Sequence, residues 1–173
     1  GGLVWYRKEF EFLRSIFQLP FHVEPSLNNF YLINTGKPKE STKEMIEVVQ
    51  LKMKSEKRIV EQSFDENEVQ TKRITVAIKE GNEDVLIDAI RIGERTLETM
   101  GVVSDSAQQI IREIEGSGGG VKILGGGGRK KSVGYLLAYH RDEKTIRSIS
   151  ESYNYSVESV KLGEEGVRLE SKY

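Results

Sequence analysis

Val121-Lys122-Ile123-Leu124-Gly125-Gly126-Gly127-Gly128-Arg129-Lys130-Lys131-Ser132-Val133-Gly134-Tyr135-Leu136-Leu137-Ala138-Tyr139 is the stretch on which the fold turns. Residues 121 to 124 and 133 to 139 read as two strands, joined across Gly125 to Ser132. The glycine loops of the Walker and dinucleotide-binding motifs run from a strand into a helix. Here strand follows strand, so the segment is neither. Eight of the 17 glycines fall between residues 116 and 128, and that concentration needs a local explanation. Glycine permits positive φ and lets backbone N–H groups approach a ligand with no side chain in the way. Successive N–H groups in such a turn form an anion-binding concavity. With Arg129-Lys130-Lys131 following directly, phosphate is the natural guest. A flexible hairpin loop with a solvated basic tip is the other reading of the same residues.

Working outward toward the C-terminus, Asp142 can cap a helix carrying Ile146, Ile149 and Tyr153. The tail reads as a hairpin of residues 157 to 162 and 167 to 170, turning around Gly163 and Gly166. On the N-terminal side, Ser104 caps a short helix with Ala107, Ile110, Ile111 and Ile114 inward. Before it lies a helix from about 83 to 100, with Leu86, Ile90, Gly93, Leu97 and Met100 on one face and Gly101 as its C-terminal cap. A helix over roughly 67 to 79 carries Val69, Ile74 and Ile78 and stops at Gly81. Polar Asp65-Glu66-Asn67-Glu68 separates it from a helix running from about 41 into the low sixties. That one opens with Ser41-Thr42-Lys43-Glu44, a capping-box spacing, and carries Met45, Val48, Val49 and Met53. Met45 and Met53 read as core rather than as cofactor contacts.

Phe30-Tyr31-Leu32-Ile33 has the form of a buried strand, stopped by Asn34-Thr35-Gly36 and Pro38. Pro20 and Pro25 bracket a loop. Residues 3 to 17 hold Trp5, Tyr6, Phe10, Phe12, Ile16 and Phe17 and fit two short strands, with Arg7-Lys8-Glu9 at or near their connection. The order is therefore strand, helices, strand, strand, helix, strand. That predicts an α+β fold, a ferredoxin-like split βαβ sheet with helices on one face.

The whole composition narrows the function classes. In 173 residues, 26 Lys+Arg balance 27 Asp+Glu, without the basic surplus of a general nucleic-acid binder. No apolar run approaches the roughly 18 residues of a membrane span. No basic start followed by an apolar block marks a signal peptide. Cysteine is absent, which removes disulfides, thiolate zinc sites and thiol nucleophiles. A cytoplasmic protein is expected. The two histidines, His22 and His140, have no partner at ligand or triad spacing and read as surface or loop residues. The acidic stretches 113 to 115 and 164 to 165 read as solvated faces and turns. The Thr35-Gly36-Lys37-Pro38 turn and the helix start at Ser41-Thr42 make a second anion-friendly point, because helix N-termini attract negative charge. A well-capped helix explains them equally.

Three segments together resemble the C-terminal half of the GHMP small-molecule kinases, most closely the mevalonate kinases. The first is Phe30 to Pro38 leading into Ser41-Thr42-Lys43-Glu44-Met45, similar to the family's strand, T-G turn and S-T helix start. The second is Met100-Gly101-Val102-Val103-Ser104, similar to its L-G-V-S element. The third is Val121 to Gly128, similar to its glycine motif K-[IL]-[ST]-G-A-G-G-G. Leu124 stands there in place of Ser or Thr, Gly126 in place of Ala, and Arg129 breaks the run. The ending Gly166-Val167-Arg168-Leu169-Glu170 is also similar to these chains.

The resemblance implies ATP-dependent phosphoryl transfer to the mevalonate hydroxyl in a cleft between two domains. On this reading residues 29–173 are the C-terminal domain, and 1–28 are strands from the junction with an N-terminal domain. Gly125, Gly126, Gly127 and Gly128 would line the cleft. Ser41 and Thr42 would lie on the substrate side, and Lys37, Lys39 and Arg129 would help electrostatically. The serine-rich phosphate loop, the N-terminal lysine and the catalytic aspartate would precede Gly1. On this reading the chain would have no catalytic acid or base of its own, ATP and Mg would be bound mainly by the other half, and the chain alone should be inactive. The implied partners are mevalonate, the N-terminal half and, through an aromatic patch of Trp5, Tyr6 and Phe10, a second copy of the chain. Phosphomevalonate kinase or another family member is the nearest alternative. A noncatalytic α+β module that binds an anion or a partner is the alternative from a different class.

Overall fold

The four central strands are short and apolar, and their pairing follows from one register. A computed structural model describes residues 2–8 and 14–164 of the chain. Strand β3 (Phe30–Asn34) pairs antiparallel with β5 (Tyr135–Tyr139) on one side and β6 (Ser156–Val160) on the other, and β4 (Gly120–Ile123) pairs with β5. The sheet order is β4-β5-β3-β6, all antiparallel, the expected split βαβ arrangement. A separate hairpin joins β1 (Val4–Lys8) to β2 (Arg14–Gln18). Between β3 and β4 run α1 (Thr42–Ser55), α2 (Lys57–Glu80), α3 (Glu83–Thr99) and α4 (Asp105–Gly116), and α5 (Glu143–Ser152) links β5 to β6. Among the described residues no helix is long and apolar enough to cross a membrane.

Side chains alternate between the two faces of a strand, and this divides the core. Tyr31, Ile33, Val121, Ile123, Leu136 and Ala138 face α4 and α5, where Ile110, Ile111, Ile114 and Ile146 are fully buried. Phe30 and Tyr139 turn the other way, toward Ala77, Ile78, Leu86, Ile87 and Ile90 of the α2–α3 pair. The Phe30 and Tyr139 rings meet edge to face, and the Tyr139 hydroxyl donates to Glu83 at 2.7 Å. The helices expected on the sheet thus include α4 and α5, and α2 with α3 closes a second cluster behind Phe30 and Tyr139.

The helix starts match their caps. Ser41 and Glu44 form the complete capping box, Asn82 accepts from Val85 N–H, Ser104 from Ala107 N–H and Asp142 from Lys144 N–H. Gly81 and Gly101 end α2 and α3 with φ of +68° and +78°. The break in the long helical stretch lies elsewhere than expected. Residues 65 to 68 are helical, and the interruption falls at Glu56, whose φ of −134° and ψ of 45° leave the helix. The buried or half-buried residues Val60, Ser63, Asn67, Gln70, Ile74 and Ala77 recur every three or four positions and lie toward α3. The seam is partly polar, so an apolar count does not find it. Asn67 donates to Thr96 at 2.9 Å, and Gln70 packs beside Gly93.

Other differences are local. Strand β5 begins at Tyr135, because Val133 N–H is taken by the Thr35 hydroxyl at 3.0 Å instead of a ladder partner. His140 is buried, not on the surface. The Asp142 N–H donates to its Nδ1 at 2.9 Å, which turns Nε2 toward Ser117. Glu115 is not a solvated residue either, since it is held by Arg95 and Arg112 in a network that includes Glu98. Tyr6 and Phe17 of the hairpin are exposed and Trp5 is half-buried. Phe10, Phe12 and the expected strand at 167 to 170 lie outside the described residues.

Replacing Ile111, fully buried between α4 and the sheet, with alanine is expected to lower the unfolding free energy by about 2–5 kcal/mol. Urea denaturation measures this, and a loss below about 1 kcal/mol would contradict the packing described here.

Candidate functional site

The antiparallel register brings three chain connections to one end of the sheet. The C-terminal ends of β3 and β4 both lie beside the start of β5. The loop from Leu124 to Gly134 therefore emerges next to the β3–α1 turn, and the α3–α4 turn at 101 to 104 meets it. Thr35 fastens the first contact. Its N–H and hydroxyl both donate to the Gly134 carbonyl, at 2.9 and 2.7 Å. Ser104, buried at the start of α4, fastens the second. Its hydroxyl donates to the Lys131 carbonyl at 2.6 Å while accepting from Ala107 N–H. Gly128 N–H donates to the Val102 carbonyl at 2.9 Å and forms a short parallel bridge with Val103.

The four glycines are not equivalent. A Cβ at Gly127 would lie 2.1 Å from the Val102 carbonyl oxygen, and one at Gly128 would lie 2.2 Å from that of Ser132. Neither position has room for any side chain. Gly125 has open space around it but a φ of +80°, a conformation that L side chains rarely adopt. Gly126 has neither restriction. A Cβ there would make ordinary contact with Thr42, 3.7 Å from Oγ1. The fold itself thus explains Gly127, Gly128 and Gly125. At Gly126 it leaves an exposed backbone beside Thr42.

The structure therefore brings Gly126 to Thr42 and Gly128 to Pro38, whose Cβ is 3.4 Å from the position of a Cβ at Gly128. Lys37 and Lys39, on either side of Pro38, are exposed. Ser41 is committed to its helix. Its N–H and hydroxyl both donate to Glu44, at 2.6 and 2.8 Å. These two bonds hold the Glu44 carboxyl below its ordinary range, and Lys130 lowers it further. The α1 N-terminus thus already faces a carboxylate of its own. Arg129 and Lys130 line a cavity of about 440 Å³ with Glu40, Glu44, Met45 and Val48. Lys130 N–H donates to Glu40 at 3.1 Å, so the basic tip folds toward the acidic start of α1. A cavity of about 350 Å³ lined by Val23, Leu27, Phe30, Val160 and Leu162 lies beside β6, at the opposite edge of the sheet.

One buried group escaped the sequence reading. Glu94 of α3 is fully buried, and its Oε2 accepts Ile123 N–H at 2.9 Å, one residue before the loop begins. The signal was present in its position. Glu94 stands four residues after Ile90 and three before Leu97, on the apolar face of its helix.

The unequal roles of the four glycines have a direct test. Gly127→Ala should cost at least about 1–3 kcal/mol from the backbone conformation alone, and the overlap with Val102 adds to it. Gly126→Ala should change stability by no more than about 0.5 kcal/mol. Thermal unfolding of both variants decides, and equal losses would contradict the assignment.

No protein-family model matches the sequence, and no curated protein matches it either. Solved structures do share its fold. The Lin0012 protein from Listeria innocua superposes with a TM-score of 0.69 at 18% identity, covering 83% of this chain and 41% of that one. The L. major mevalonate kinase in complex with R-mevalonate gives 0.68 at 17% identity, covering 88% and 44%. The Streptococcus pneumoniae phosphomevalonate kinase in complex with phosphomevalonate and AMPPNP gives 0.68 at 16%, also covering 88% and 44%. This chain spans less than half the length of each. Its α+β fold is one it shares with these mevalonate and phosphomevalonate kinases.

Proposed function

We propose that the chain is the C-terminal half of an ATP-dependent GHMP kinase that phosphorylates mevalonate in isoprenoid precursor synthesis in the cytoplasm. Residues 29–173 form the domain, and 1–28 form the junction to an N-terminal half. The observation that carries the reading is the Gly125–Gly128 loop, packed on Val102 and Pro38 with the open backbone of Gly126 beside Thr42, in a fold shared with mevalonate kinases. Phosphoryl transfer depends on positioning and charge stabilisation more than on covalent chemistry. The exposed backbone of Gly125 and Gly126 suits the phosphate side of a cleft, and Thr42 with Ser41 suits the substrate side. Lys37, Lys39 and Arg129 add positive potential around them.

ATP supplies the transferred group, with Mg screening its charge. Among the described residues no group of three or more His, Asp or Glu stands close enough to hold a metal ion. The ion belongs in this reading with the nucleotide and the N-terminal half. Phosphomevalonate is the second substrate to test, because the phosphomevalonate kinase superposes as well as the mevalonate kinase does.

Purified chain with ATP and mevalonate should release no ADP above background. Adding a separately expressed N-terminal half that carries the serine-rich phosphate loop should produce turnover. Thr42→Ala should lower that turnover by about 100-fold, as expected for a misplaced substrate. Turnover by the chain alone would overturn the half-enzyme reading. Silence of the reconstituted pair with both mevalonate and phosphomevalonate would overturn the kinase reading in favour of a noncatalytic module.

A further inference from the structure

A carboxyl group with no exposure to water is costly unless its oxygens are matched, and Glu94 is matched by half. Oε2 accepts Ile123 N–H, whereas Oε1 is buried with no hydrogen-bond partner. Strand β4 is an edge of the sheet, and Ile123 N–H points away from β5, to where a further strand would lie. Helix α3 answers that edge with side chains. Arg91 donates to the Gly119 carbonyl at 2.7 Å, and Glu94 takes Ile123 N–H.

The charged groups around Glu94 are few. From β4 comes Lys122, whose Nζ donates to the Ile123 carbonyl at 3.1 Å. On α3 itself are Arg95 and Glu98, engaged with Glu115 and Arg112 of α4. Arg91 is bonded to the Gly119 and Glu115 carbonyls. Burial pushes the Glu94 carboxyl up to about 8, and the same cause pushes the Lys122 amine down.

With its proton on, Glu94 is neutral and its bond to Ile123 N–H is compatible with burial. When the proton leaves, Oε1 becomes part of a buried anion, and Lys122 is the cation whose charge acts on it most. A Lys122 ammonium that turns to Oε1 gives up the Ile123 carbonyl. Ile123 lies against the loop, its Cδ1 3.1 Å from where a Cβ at Gly127 would stand, so a change at Ile123 is felt at the glycines. We infer that Glu94 and Lys122 form a proton-operated latch that sets the position of the Gly125–Gly128 loop. The latch stands on this geometry and does not depend on the kinase reading.

An amide NMR titration of the 173-residue chain tests it. The Ile123 and Gly125–Gly128 resonances are expected to move together, with one midpoint near 8. Glu94→Gln, which fixes the neutral form, should abolish the movement. Lys122→Met should raise the midpoint, because Lys122 favours the ionised carboxyl. The stability of the folded chain carries the same sign. Glu94 keeps its proton in the fold at a pH where the unfolded chain has lost it, so its contribution is complete below 4.5 and lost as pH rises toward 8. The Lys122 contribution runs oppositely and is lost as pH falls through its lowered value. A transition that persists in Glu94→Gln would overturn the latch. So would a titration in which Ile123 moves and the glycines stay still. Should Glu94→Gln not fold, an unchanged midpoint in Lys122→Met has the same force.

Discussion

The bond from Gly128 N–H to the Val102 carbonyl is the contact on which the site end of the molecule depends. It forms only because Gly127 carries no side chain, so its backbone meets that of Val102 at a distance that no other residue permits, while the bare Gly128 lets the loop close on the Ser132 carbonyl. Through it the β4–β5 loop is joined to the turn between α3 and α4. Thr35 and Ser104 extend the junction to the β3–α1 turn and to the start of α4. Three connections that are remote in sequence are thereby held as one surface, and the open backbone of Gly126 lies on it. Preorganisation of this kind is what an anion-binding backbone needs, since N–H groups held in place lose little freedom when a ligand arrives.

The two anion-friendly points of the sequence have different fates in the fold. The helix start at Ser41 and Thr42 has its own carboxylate, Glu44, seated on the Ser41 N–H and hydroxyl. A second anion would have to compete with it. The glycine loop has no such internal guest at Gly126. Its basic tip is also partly answered from within, because Lys130 and Arg129 lie against Glu40 and Glu44. The backbone of the loop, more than the charge of its tip, is what distinguishes this site from an ordinary capped helix with a lysine-rich turn.

Much of the architecture was legible because it rests on local rules. Caps at Ser41, Ser104 and Asp142, stops at Gly81 and Gly101, and the apolar run at Phe30 each identify an element from a few residues. The helix break was misplaced because the seam of α2 is partly polar. Ser63, Asn67 and Gln70 face α3, so the stretch at 65 to 68 looks like an interruption although it lies within a continuous helix. The position of His140 was hidden for a similar reason. Its burial depends on Ser117, which reaches Nε2 only when α4 and β5 are in place, although its bond to Asp142 is local. Contacts between remote segments have no local signature. The glycine-rich loop could be recognised, but the separate reasons for Gly125, Gly127 and Gly128 could not.

Glu94 shows how such hidden contacts reach the site. An edge strand needs something to satisfy its outward backbone groups, and most sheets meet this with water or charged side chains. Here α3 covers the edge, so water is excluded and a side chain must replace it. A glutamine could accept the same N–H without titrating. A glutamate makes the bond depend on a proton, and its second oxygen, left unmatched, gives Lys122 a reason to move. The position that ties β4 to its covering helix is therefore also the position at which the glycine loop becomes sensitive to charge.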